Sequence, residues 1–119
     1  MRLLIVALGG AVGSALRYLI GLGLQSRSFP FATLVVNVIG CFAIGALAQW
    51  YELRGAPGTH ARLFLTVGLL GGFTTFSAFA NETALFVRND RPGLAVVNVA
   101  AHLLIALGAV WLGRICVVR

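Results

Sequence analysis

Three groups of polar residues stand inside otherwise apolar stretches of this 119-residue chain. Their types limit the chemistry open to them. Asn37 lies within one uncharged run. In a second run, Thr75, Ser77 and Asn81 follow the segment Gly71-Gly72-Phe73-Thr74, with Phe76 and Phe79 among them. In a third, Asn98 and His102 stand four apart, and so share one helix face. Amide N–H and hydroxyl groups donate hydrogen bonds, and a phenyl ring is electropositive at its edge. A path of donors and ring edges with no fixed negative charge favours a small anion, whereas a cation path calls for rings of acids or carbonyls. No nucleophile elbow, phosphate loop or carboxylate pair is present, so no enzyme is expected. Cys41 and Cys116 have neither metal nor disulfide spacing and read as small packing residues.

The pair Gly71-Gly72, followed by the β-branched Thr74 and Thr75, is poor helix material. A break here frees main-chain carbonyls deep in a bilayer, which is tolerated only where they are buried in protein, line a cavity or bind something. Neutral carbonyls without a nearby acid suit a hard, weakly charged cation such as Na⁺. The residues alone leave a second reading open: a kinked but continuous helix whose threonine hydroxyls bond the backbone.

Arg17 stands inside one apolar stretch and Glu82 at the end of another, and both carry charge. Each costs about 2.5–3.5 kcal/mol at a membrane centre on insertion scales, so a partner or a function is the default expectation. Glu82 stands six residues before Arg88 and can also reach the interface. The uncharged polar residues have plainer uses as well. An intramembrane Asn commonly bonds a neighbouring helix, at an average of about 0.6 kcal/mol. Phe76 and Phe79 can pack, and His102 is expected as a satisfied interhelical donor, since no second His or Cys stands at ligand spacing.

The elements that carry these residues follow from charge and hydropathy. Only 10% of the chain is charged and 60% is hydrophobic, against about 25% charged in an average soluble domain, which excludes both a soluble domain and disorder. Residues 28–51, 63–81 and 92–113 carry no charge, and residues 3–24 are interrupted only by Arg17. At about 1.5 Å rise per residue, each run is long enough to cross the hydrocarbon core. An all-α integral membrane protein in a single four-helix domain is therefore expected, with helices near 3–24, 30–52, 61–87 and 92–115. Pro30 and Pro92 open helices, and the turn-rich loops 54–59 and 88–93 leave no room for a soluble domain. The first apolar stretch, with Gly13-Ser14-Ala15, resembles a secretory signal, but apolar sequence resumes after Arg17 and a retained helix is preferred.

The basic residues are all arginines, scattered singly, so the net charge of +6 reflects membrane flanks and no nucleic acid partner is expected. Four spans put Arg2, Arg54, Arg62, Arg114 and Arg119 on one side and Arg27, Arg88 and Arg91 on the other. This weak bias points to insertion in both orientations and an antiparallel dual-topology homodimer. A pathway forms more easily between subunits than within four short helices. Gly9, Gly13, Arg17 and Gly21 repeat every four residues, and Gly40 and Gly45 lie near one another on helix two; small residues let helices approach closely.

Taken together, the chain resembles the small fluoride channels of the Fluc (CrcB) family over nearly its whole length. The resemblance rests on Gly9-Gly10-Ala11-Val12-Gly13-Ser14-Ala15-Leu16-Arg17-Tyr18, on Thr33-Leu34-Val35-Val36-Asn37-Val38-Ile39-Gly40-Cys41-Phe42, and on Gly71-Gly72-Phe73-Thr74-Thr75-Phe76-Ser77 with Phe79 and Glu82. It implies an antiparallel dimer with two pores, passive export of fluoride from the cytoplasm across a bacterial plasma or inner membrane, and a structural Na⁺ on the two-fold axis. Gly71 and Thr74 match the positions whose backbone carbonyls would hold that ion, two from each copy. Phe76 and Phe79 would line the fluoride path with Asn37, Ser77 and Thr75. Arg17 would face an aqueous vestibule, with Glu82, Asn98 and His102 as polar support. The sequence departs from the family in Ala78, where Thr is usual, in Cys41, where Ser is common, and in His102, where a small hydroxyl residue is frequent. Some members pair two different chains, so a heterodimer is also compatible.

Two other readings fit the size. A proton-coupled small multidrug exporter needs a carboxylate in helix one, where this chain has Arg17. A non-transporting assembly subunit accounts for the glycines but gives no reason for the Gly-Gly-Phe-Thr-Thr-Phe segment beside a mid-membrane Asn.

Overall fold

A computed structural model describes residues 1–26 and 28–117. Arg27 and Arg119, counted above among the flanking charges, lie outside the described residues. Apart from short loops the described residues are helical, without strands, and contain four helical segments long and apolar enough to cross a membrane. The protein is thus a multi-pass membrane protein. Helix α1 spans Arg2–Gly23 and α2 spans Phe31–Arg54. The third span, Thr59–Arg88, is divided. Its first half, α3, covers 59–73 and its second, α4, covers Phe76–Arg88. Helix α5 spans Pro92–Cys116.

Local chemistry sets the ends. Pro30 caps α2, its carbonyl accepting from Leu34 N at 3.2 Å. Gly55 stops α2 with φ +85°, a left-handed conformation that costs glycine nothing. Pro92 occupies the first turn of α5, where its missing N–H is no loss. At one end of the bundle, Arg114 of α5 grips both carboxylate oxygens of Glu52 on α2, at 2.6 and 2.7 Å.

The helices are knitted in two pairs by backbone contact. Between α1 and α3, a Cβ on Gly9 would lie 2.6 Å from the Phe64 carbonyl and one on Gly68 2.8 Å from the Val6 carbonyl. Between α2 and α5, Gly45 sits against the Val110 carbonyl and Gly113 against that of Phe42. No larger residue fits at these crossings, the usual means of close packing where lipid supplies no hydrophobic drive. The four-residue repeat on α1 is used only in part for packing: Gly13 meets the Leu69 carbonyl, but nothing approaches Gly21.

Two stretches are wound as π-helix, Leu63–Leu70 in α3 and His102–Ala106 in α5. Such wide turns are frequent at functional sites. The buried apolar set is small, namely Val36, Leu70, Phe73, Ala95, Ala106 and Ala109. Leu3, Tyr18, Val96, Leu104, Trp111 and Ile115 are exposed, as befits a surface against lipid.

Candidate functional site

The rupture of the third span falls on the threonines. Gly71–Phe73 is still helical, whereas Thr74 (φ −82°, ψ 159°) and Thr75 (φ −152°, ψ 109°) are extended. Gly72 is explained instead by close approach, since a Cβ there would lie 2.5 Å from the Gly10 carbonyl. Thr74 ends α3 by bonding the Leu70 carbonyl twice, through its N–H at 3.1 Å and its hydroxyl at 3.0 Å. Thr75 starts α4 as its cap, its hydroxyl accepting from Ala78 N at 3.1 Å.

Asn37 of α2 holds the gap. Its Oδ1 accepts from Thr75 N at 2.8 Å, and its Nδ2 donates to the Thr75 carbonyl at 3.0 Å. The side-chain amide thus serves as a substitute peptide group for a residue removed from both half-helices. This satisfies in protein what hydrocarbon cannot.

Thr75 lies on the boundary between two recesses. One, of about 480 Å³, is lined by Arg17, Thr33, Ser77 and Asn81 among others, with Gly21 and Ala32 toward the end that carries the α1–α2 loop. Arg17 is partly buried there and donates from Nη1 to the Thr74 carbonyl at 3.3 Å. The other, a groove of about 430 Å³, is mostly apolar; Leu70, Gly71, Phe76, Phe79 and His102 contribute to it. Both recesses are open, and Thr75 lines each of them.

The structure therefore brings together most of the residues singled out from sequence. Phe76 and Phe79 lie 5.4 Å apart between ring centroids, and Phe79 lies 4.4 Å from the His102 ring. Phe76 is 78% exposed at mid-span. Ser77 faces the polar recess, its hydroxyl 3.3 Å from that of Thr75. Asn98 is fully buried and donates to Thr83 Oγ1 at 2.9 Å, and Thr83 donates to the Phe79 carbonyl at 2.8 Å. Asn98 and Thr83 thus brace the segment that carries Phe79. Glu82 is not in either of these recesses. It accepts a hydrogen bond from the Thr33 hydroxyl, tying α4 to α2, while its second oxygen is buried without a partner.

Two expectations change in detail. His102 is bonded within its own helix, Nδ1 to the Asn98 carbonyl at 3.0 Å, and its Nε2 is buried without a partner. Asn37 spends both ends of its amide on Thr75. Thr33 and Thr83 were not singled out from sequence. Their partners stand 49 and 15 residues away, and no spacing signals such contacts.

The break leaves main-chain carbonyls open. A helix end leaves its last carbonyls without intrahelical donors. Here Thr75 N turns to Asn37 and does not reach the Gly71 carbonyl. Gly71 is exposed and lines the groove. The Thr74 carbonyl keeps one lone pair beyond that engaged by Arg17. Among the described residues no cluster of acids, histidines or cysteines is placed to hold a metal, so any cation here would rely on neutral oxygens.

A four-span helical membrane protein with one span broken at mid-depth, its main-chain oxygens opened beside a donor-lined recess, belongs to the class of channels and transporters. Residues 4–114 match the model of the family described as CrcB-like protein, Camphor Resistance (CrcB). The chain is 46% identical over 116 residues to a protein of Caulobacter vibrioides named fluoride-specific ion channel FluC, covering 94% of this chain and 91% of that one. Proteins of the same name are 44% identical in Solibacter usitatus, over 97% of both chains, and 47% identical in Elusimicrobium minutum, over 92% of this chain and 87% of the relative. The chain belongs to the CrcB-like family.

Proposed function

We propose that this protein is a fluoride-selective channel through which F⁻ leaves the cytoplasm passively. The observation that carries the reading is the meeting, at Thr75, of a donor-lined recess and a groove edged by Phe76 and Phe79, in a chain close to proteins named for fluoride conduction. Hydroxyl donors of Ser77 and Thr75 take the place of water around the ion, and ring edges of Phe76 and Phe79 carry it onward. Asn37 acts through Thr75, fixing its backbone and hydroxyl. Arg17 supplies positive charge at the polar mouth, Glu82 and Asn98 hold the helices that bear the path, and the His102 ring packs against Phe79. The role is one of transport, with no bond made or broken.

The working form is an antiparallel homodimer. Phe76, Ser77, Asn81 and Gly71 are exposed on a single chain at membrane depth. Polar groups left against hydrocarbon are costly, so a partner that covers them is favoured. The weak charge asymmetry supports two orientations. A second copy also doubles the carbonyls of Gly71 and Thr74 to four, a set that suits Na⁺. When bound, such an ion supplies fixed positive charge and ties the copies together. The rest of the surface faces lipid, and the bacterial relatives favour a plasma or inner membrane.

Ion efflux from vesicles reconstituted with the protein tests the reading. Fluoride should leave rapidly and chloride should not. Equal release of both, or of neither, rejects a fluoride channel. A single cysteine near either chain end should give no crosslinked dimer, because an antiparallel pair puts the ends of its two copies on opposite membrane faces; crosslinking through the ends rejects the antiparallel arrangement.

A further inference from the structure

We propose that Arg17, assisted by Ser14, is a positioning residue for the ion path: it holds one side of the peptide that joins Thr74 to Thr75, while Asn37 holds the other. The role rests on the fluoride-channel reading and is separate from the charge that Arg17 carries. A trans peptide points its carbonyl and its N–H in opposite directions. In this one the Thr74 carbonyl accepts from Arg17 Nη1 at 3.3 Å, and the Thr75 N–H donates to Asn37 Oδ1 at 2.8 Å. Helices α1 and α2 therefore grip a single peptide plane from opposite sides. Thr75 lines both recesses, so a rotation of that plane is passed straight to the path.

The neighbouring main-chain oxygens show how α1 is seated for this. The Leu70 carbonyl is taken by Thr74 itself. The Gly72 carbonyl accepts from the Ser14 hydroxyl at 3.4 Å. Ser14 and Arg17 stand three apart and so share a face of α1. Their acceptors, Gly72 and Thr74, flank Phe73, the last residue of α3. Just before these donors the two backbones touch. Gly13 lies against the Leu69 carbonyl and Gly72 against that of Gly10, and a side chain at either would part the helices. A charge inside a span needs a partner. Among the described residues no acid pairs with Arg17, and the Thr74 carbonyl takes that place. The C-terminal end of a helix also carries partial negative charge, which a guanidinium complements.

The test is the single-channel fluoride current in planar bilayers, which reports each folded channel and is blind to how many of them fold. Arg17→Met keeps the stem, removes the donor and should lower that current about tenfold, the scale of one hydrogen bond from a charged group. A charge acting only from the mouth is screened in about 1 M salt, where the Debye length is about 3 Å, whereas the loss expected here persists. Ser14→Ala leaves the mouth charge untouched and should lower the current about threefold, the scale of a neutral hydrogen bond. Ser14→Thr keeps the hydroxyl and should restore it. An Arg17→Met current that rejoins the wild type in about 1 M salt, or an undiminished current in Ser14→Ala, overturns the proposal while leaving the channel standing. No fluoride current from the wild type overturns both.

Discussion

Asn37 and Thr75, 38 positions apart, are joined as closely as two strands of a sheet: the amide of one accepts from and donates to the backbone of the other, at 2.8 and 3.0 Å. The broken third span is therefore held by the second helix. Thr75 cannot return to a regular helix without surrendering both bonds, and Asn37 cannot be lost without orphaning an N–H and a carbonyl.

Asn37→Ala should accordingly lower stability by about 2–4 kcal/mol, since one buried orphan alone costs about 1–3 kcal/mol. Fluoride release from vesicles should fall at least about tenfold, as the opened backbone loses its geometry. Thermal unfolding in detergent and an efflux trace report the two effects separately. A fully active, equally stable variant would show that the clasp is dispensable.

The phenyl pair is tested by shape. Phe76→Ile and Phe79→Ile keep apolar bulk and remove the electropositive ring edge. Each should slow fluoride efflux with less than about 1.5 kcal/mol lost in stability, the usual limit for a near-isosteric swap. Unchanged efflux in both variants would remove the rings from the path.

Gly40 lies directly beneath the Thr74 methyl, so that a Cβ there would collide with it. Gly40→Ala must push Thr74 away from α2, at about 1–3 kcal/mol for an overpacked site. Gly58→Ala has open space around it and serves as the control. Comparing melting temperatures of the two isolates the contact, and equal values would contradict it.

Thr33→Val removes the donor to Glu82 and leaves a carboxylate in the bundle with no other partner. A loss of about 1–3 kcal/mol is expected, with Thr33→Ser restoring most of it. By contrast, Arg114→Ala breaks a pair whose Glu52 is largely solvent-exposed and should cost no more than about 1 kcal/mol.

Much of this architecture was legible from composition. Uncharged runs of 19–24 residues between charged residues mark three of the spans, because a charge inside hydrocarbon is expensive. The weakness of the Gly71–Thr75 segment was visible too, but a kink remained an equal reading. What decides between them is Asn37, and nothing in a spacing of 38 residues announces that its amide meets Thr75. The glycines misdirect in a similar way: Gly71-Gly72 looks like the breaking point, yet Gly72 is there to admit the backbone of Gly10. His102 was legible as a polar residue on a helix face, but its free nitrogen was not, because its partner is a main-chain carbonyl of the same helix.

The polar recess that begins beside Gly21 and reaches Thr75 has an electrical consequence. Where hydrophilic surface penetrates to mid-depth, the transmembrane voltage does not fall evenly over the bilayer but is concentrated on the remaining low-dielectric stretch. That stretch starts at Thr75 and runs on past Phe76, Gly71 and Leu70 along the apolar groove. A full elementary charge crossing it works against about 2.3 kcal/mol per 100 mV. Substitutions in these few residues should therefore alter the curvature of the current–voltage relation, whereas changes at Arg17 or Asn81 should alter only its scale.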